Sequence, residues 1–144
     1  MEVLRRNTDY ALRIVTILAQ KADKNELISS RLLAKEATVP LALACKLLQR
    51  LQREGIVQSV MGARGGFKLA RQPREVTFLD VIQTIQGPIH MNRCLLGGYV
   101  CPLKNKCPLH GKMAGLEKEI REHLQSVTFY EVVQGTRYEG GRYE

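Results

Sequence analysis

Apolar residues recur at helical spacing in several separate blocks along the chain, and the blocks differ in what lies opposite them. Ala11, Leu12, Val15 and Leu18 form a first stripe, widened by Ile14 and Ile17, with Asn7 or Thr8 placed to cap the helix that carries it. After the polar stretch from Lys21 to Glu26, Ser29 and Ser30 offer a cap to a short helix that carries Leu32 and Leu33 through Ala37. Thr38, Val39 and Pro40 break it, and Pro40 suits the first turn of a new helix. Ala44, Leu47, Leu48 and Leu51 then stand at i, i+3, i+4 and i+7 until Gly55. Lys46, Gln49, Arg50 and Arg53 lie largely off this stripe, so the helix has an apolar inner side and a basic outer side. Two helices joined by a tight turn, the second basic on its outside, describe a helix-turn-helix with its recognition helix.

Period-two patterning follows. Ile56 to Val60 and Phe67 to Ala70 read as short strands around Met61-Gly62-Ala63-Arg64-Gly65-Gly66, whose glycines permit a hairpin turn, with Arg64 at its tip. This is a β-wing. Thr77 caps a further helix, with Asp80 completing a capping box and Phe78, Val81, Ile82 and Ile85 as its buried face before Gly87-Pro88. From Ile89 to His110 there is little periodicity. Met113, Leu116, Ile120, Leu124 and Val127 then repeat at spacings of three and four, with Glu117–Arg121 and Lys118–Glu122 pairs on the wet side. So long a stripe needs a partner surface, and the helix is read as a dimerisation element, with packing inside one chain as the alternative.

The fold class expected is mainly α: a winged helix-turn-helix with a small β-wing and a long C-terminal dimerisation helix. The expected divisions are residues 1–75 for the winged helix-turn-helix, 76–88 for a linking helix and 89–110 for a cysteine loop. Residues 111–134 form the dimerisation helix and end segment, and 135–144 a disordered polar tail.

Charge sharpens the picture. Of the formal net charge of +8, the segment Arg31–Arg74 alone carries +7, from nine Lys or Arg against Glu36 and Glu54. Cations concentrated on one part of a small domain suit a phosphate backbone, because neutralised phosphates release condensed counterions. Lys46, Gln49, Arg50, Arg53, Arg64 and Lys68 are the candidate DNA-contacting residues. A single aromatic, Phe67, in the basic segment gives little support to base stacking on RNA. The longest apolar runs fall well short of the roughly 20 residues of a bilayer span, and no signal core follows Met1, so a soluble cytoplasmic protein without a membrane partner is expected. No nucleophile, base and orienting acid stand out, which argues against an enzyme.

Three of the four cysteines crowd into one loop. Cys94, Cys101 and Cys107 are separated by six and five residues, and His110 follows three positions after the last. Without an export signal these are free thiols, available as metal ligands. Three thiolates and an imidazole close a tetrahedral zinc site or hold an iron-sulfur cluster. Structural zinc sites usually employ CxxC knuckles, and none exists here. The wider gaps, and the prolines after Cys101 and Cys107, favour the larger cofactor, with zinc or no metal as alternatives. Cys45 reads as a small apolar residue of the recognition helix, with a second redox handle as the lesser alternative. His90 and His123 lack ligand spacing.

In this order the motifs resemble the winged-helix repressors that include IscR and NsrR. The resemblance covers about residues 1–134. It rests on Thr8-Asp9-Tyr10-Ala11-Leu12-Arg13, Leu51 through Gly55-Ile56-Val57, the wing Gly65-Gly66-Phe67-Lys68-Leu69-Ala70, the three-cysteine loop, and Val127-Thr128-Phe129-Tyr130-Glu131-Val132-Val133. It implies a homodimer that binds a palindromic operator in double-stranded DNA, with Cys94, Cys101 and Cys107 ligating an iron-sulfur cluster. IscR-like members add a histidine that His110 matches and hold a 2Fe-2S cluster, the favoured assignment. NsrR-like members add an N-terminal aspartate, matched by Asp9 of the partner subunit, and hold a 4Fe-4S cluster. The chain departs from the family in its first cysteine gap, one residue longer than the common five. Met61 stands where a wing arginine is frequent, and Ala42-Leu43 where Ser-Tyr is frequent. The function implied is a transcription repressor sensing iron, redox or nitric oxide status. A different class, an electron-transfer or cluster-transfer accessory, is disfavoured by the placement of the charge on the helix-turn-helix and wing.

Overall fold

The computed structural model describes residues 3–103 and 106–135; the polar tail expected from 135 onward lies almost wholly outside them. Six helices and one hairpin make up the described chain: α1 (Arg6–Lys21), α2 (Ser30–Ala37), α3 (Leu41–Arg53), β1 (Val57–Val60), β2 (Gly66–Leu69), α4 (Phe78–Gln86), α5 (Pro108–Ser126) and α6 (Phe129–Gln134). Short 3-10 turns occupy Ala22–Lys24 and Arg93–Leu95.

The core forms where the stripes predict. Ala11, Ile14, Val15 and Leu18 of α1 meet Leu33 of α2, and Ala44, Leu47, Leu48 and Leu51 of α3, all essentially inaccessible to water. Ser29 caps α2 by accepting from the backbone N–H of Leu32, and Thr38 ends the helix in the left-handed region at φ 56°. The turn into α3 is consequently only Thr38-Val39-Pro40, which fixes α3 as the second helix of a helix-turn-helix.

One capping expectation is corrected. Asn7 and Thr8 lie inside α1, whose N-cap is Arg5. Thr8 is completely buried, and its hydroxyl donates to Gln86 Oε1 at 2.7 Å. The same Oε1 accepts from the Arg5 backbone N–H at 3.1 Å, while Gln86 Nε2 donates to the Val3 carbonyl at 3.2 Å. The amide at the end of α4 thus serves as the cap of α1, and Thr8 is freed for a tertiary tie.

The wing is antiparallel, pairing Val57 with Leu69 through Val60 with Gly66. Ile28 adds an isolated bridge to Phe67, with backbone bonds in both directions at 2.8 and 3.0 Å, so the turn side of the hairpin is tied to the segment before α2. Only glycine fits at position 66, because a Cβ there would stand 2.8 Å from the Ile28 backbone.

Beyond the wing, α4 buries two sides. Val81 and Ile85 enter the main core, whereas Leu79, Ile82 and Ile89 form a smaller cluster joined by Leu124 of α5. The expected buried face named Phe78 where Leu79 is the more buried; Phe78 is half-buried against Phe129, ring centroids 5.2 Å apart. The chain then repeats a motif, Val76-Thr77-Phe78-Leu79-Asp80 and Val127-Thr128-Phe129-Tyr130-Glu131, and each copy makes a complete capping box. The two copies pair as an antiparallel bridge between Thr77 and Thr128, with Phe78 N–H on the Val127 carbonyl and Phe129 N–H on the Val76 carbonyl, both 3.0 Å. Phe129, fully buried, carries α6 against α1. Replacing Phe129 by Ala should lower unfolding free energy by about 3–5 kcal/mol, read from urea melts; a loss below about 1 kcal/mol would show that α6 is not part of the core.

Candidate nucleic-acid interface and cysteine loop

The basic side of α3 is built by spacing alone. Lys46, Gln49, Arg50 and Arg53 occupy i, i+3, i+4 and i+7, and with Ala44, Leu47, Leu48 and Leu51 taken by the core they all stand exposed on one outer face. None makes an ion pair among the described residues. Leu41 at the start of α3 and Ala42 beside it are also exposed, a contribution to this face that reading charge alone overlooked. Cys45 is half-buried.

Arg64 is exposed in the wing turn, where Gly65 N–H bonds the Gly62 carbonyl at 3.0 Å. Lys68 differs from the others. It is half-buried at the wing base, and its ammonium donates to Asn25 Oδ1 at 2.9 Å. This side chain couples the hairpin to the loop after α1, and is less free to follow a phosphate than Arg64.

The cysteine loop begins at the end of α4 and finishes three residues sooner than expected. Pro108, with no N–H to leave unpaired, sits in the first turn of α5, so Cys107 is the N-cap and His110 already belongs to the helix. Cys94 lies in the turn Arg93–Leu95, and Cys101 in the irregular segment that follows. All three thiols are free and half-buried. Nδ1 of His110 is buried without a hydrogen-bond partner, as is Nδ1 of His90. An imidazole nitrogen withdrawn from water and left unpaired suits a ligand role, and Cys107 at a helix N-terminus suits an anionic, thiolate-ligated group. The donor set therefore fits a metal centre in type. In position it is open: among the described residues no three His, Cys, Asp or Glu side chains converge as a metal would require. Asp9 is held by Arg13 one turn on in an ion pair of 2.6 Å, both side chains about half-exposed.

A polar contact that spacing did not reveal anchors this loop. Glu117, on α5 and with its side chain only 12% exposed, accepts from the Met91 backbone N–H at 3.0 Å and from Arg121 at 3.2 Å, and faces His90 Nδ1 at 3.4 Å. The sequence shows Glu117 only as half of an i, i+4 pair; its second partner, 26 residues away, carries no local signal.

A basic recognition helix in a helix-turn-helix, followed by a wing, defines a winged-helix DNA-binding regulator. The Rrf2 family, described as iron-dependent transcriptional regulators, matches residues 4–135, and the chain belongs to it. Protein aau3 of Rhizobium meliloti is 32% identical over 133 residues, 92% of this chain and 79% of that one. The HTH-type transcriptional repressor NsrR of Streptomyces coelicolor is 29% identical over 130 residues, 90% of this chain and 87% of that one. The structure of CymR, the global cysteine regulator of B. subtilis, shares the fold with a TM-score of 0.77 at 24% identity, covering 93% of this chain and 98% of that one. The relatives are regulators rather than enzymes, and no helix among the described residues is long and apolar enough to cross a membrane.

Glu117→Ala should free the Met91 amide and speed its hydrogen exchange by about tenfold, the size of one charge-assisted bond. Unchanged exchange at Met91 would show that Glu117 does not anchor the loop.

Proposed function

We propose that this chain is a cytoplasmic homodimeric repressor that reads a palindromic operator with α3 and the wing, and senses iron, redox or nitric oxide status through an iron-sulfur cluster on its cysteine loop. The observation that carries the reading is the junction at Cys107 and His110. Two of the four candidate ligands belong to the first turn of a helix that would form the dimer interface, so ligation and dimer geometry share one rigid element.

Support for the dimer comes from α5 itself. Its 19 residues include none that is buried, and Leu116 in the middle of its stripe is 47% exposed. Seven of the twelve exposed large apolar residues among those described fall between Met91 and Leu116. Apolar surface gathered along one helix and its adjoining loop is what a second copy would cover. A twofold axis through α5 would present two copies of α3 to half-sites about 34 Å apart, one turn of duplex. Lys46, Arg53 and Arg64 would neutralise phosphates, and Gln49 and Arg50 would reach base edges.

Cys94, Cys101, Cys107 and His110 would hold the cluster, in the 2Fe-2S form that an imidazole fourth ligand suits; Asp9 of the partner subunit is the other fourth ligand, and would have to leave Arg13. When bound, the cluster supplies a redox-active centre whose oxidation or loss alters the charge and number of bonds at the loop. The protein's part is to convert that into motion: Glu117 ties the start of the loop to α5, and Cys107 ties its end, so a change of loop path is passed to the helix. The open arrangement of the thiols favours one competing reading, a regulator of the same fold with zinc or no metal.

Protein purified without oxygen should be brown, with iron and sulfide in equal amounts, should sediment as a dimer, and should lose its visible absorption in Cys101→Ala. Colourless protein, whether zinc-loaded or metal-free, would decide for the competing reading.

A further inference from the structure

The wing tip carries an apolar side chain where a charged or polar one would cost nothing. Met61 is 92% exposed, the most exposed large apolar residue among those described, and Val60 beside it is 39% exposed. Both sit at the end of the hairpin, beside exposed Arg64 and on the same domain as the basic face of α3.

The tip is also held firmly. A Cβ on Gly65 would come within 2.1 Å of the Val60 carbonyl, so the backbone folds tightly under Met61. The Gly62 to Gly65 turn and the Ile28–Phe67 bridge next to it fix where Met61 projects. An unbranched thioether on a rigid projection, in the same turn as the exposed cation Arg64, matches the apolar residues that DNA-binding proteins press into the minor groove.

We propose that Met61 is a specificity residue: it enters the minor groove next to the major groove occupied by α3, and there selects A·T over G·C. The physical basis is the guanine N2 amino group. Arg64 can settle on phosphates at any sequence, but a thioether against the groove floor offers the N2 donor that G·C adds only a weak sulfur acceptor, leaving that donor out of water and poorly paired. At A·T pairs the floor holds no such donor. Met61 therefore adds discrimination without adding charge.

The inference rests on the DNA-binding reading, and the test separates the two. The full chain, purified under nitrogen, is used to select duplexes from a randomised DNA pool, and each A·T pair of the recovered site is replaced in turn by G·C and by inosine·C. Inosine·C shows the major groove of G·C but lacks the N2 amino group. Wild type should lose roughly five- to tenfold in affinity at one or two pairs on G·C substitution and regain it with inosine·C. Met61→Ala should lose that discrimination while keeping its thermal midpoint and salt dependence, and Met61→Leu should keep it. Discrimination that is unchanged in Met61→Ala, or no pair in wild type that inosine·C rescues, overturns the inference and leaves the DNA-binding reading standing. Recovery of no duplex at all overturns both.

Discussion

The bridge between Thr77 and Thr128 decides how the rest of the molecule can behave. Two backbone bonds of 3.0 Å and the packed rings of Phe78 and Phe129 bring the start of α4 and the start of α6 together. About forty residues, from the end of α4 through the cysteine loop to the end of α5, thereby become a closed excursion from the DNA-binding body. Because the base is inside the core, with Val76 and Phe129 fully buried, a change in the loop cannot be absorbed by fraying at its ends. It must alter the path of the loop or the lie of α5.

The same constraint explains the division of burial. Helices α1, α2 and α3 close their stripes against each other, with α4 packed on α1 and α3 and α6 packed on α1. In α5 Leu124, next to the bridge, packs against a buried cluster, whereas Met113 and Ile120 are half-buried and Leu116 is exposed. Glu117 is a polar group on this helix drawn inward, holding the loop start against it. The rigid body carries the basic face and the wing; the excursion carries the thiols and the uncovered apolar surface.

Much of this was legible in the sequence because the signals are local. The stripe Ala44-Leu47-Leu48-Leu51 dictates which side of α3 is buried and hence which side bears Arg50 and Arg53, and a glycine-rich turn between two short apolar runs announces the wing. Thr8 was misread as a cap because its true partner, Gln86, is 78 residues distant and no local pattern reports it. The short helix α6 went unseparated from α5 although the repeated Val-Thr-Phe motif with its acid three residues after the threonine marks a second cap. The loop was placed to His110 because residues 89–110 show little periodicity, whereas Pro108 at the first helical position already starts α5. Spacing proposes a ligand set but says nothing of its convergence, which depends on the fold of an aperiodic segment.

In the function proposed above the state of the cysteine loop sets DNA affinity, and fluorescence anisotropy on a duplex recovered by selection measures it directly. Titrations of one anaerobic preparation, before and after iron is removed by chelator, should differ in affinity by about tenfold, with Cys101→Ala fixed at the iron-free value. Equal affinities before and after removal would contradict the account and leave a winged-helix regulator whose trigger lies elsewhere.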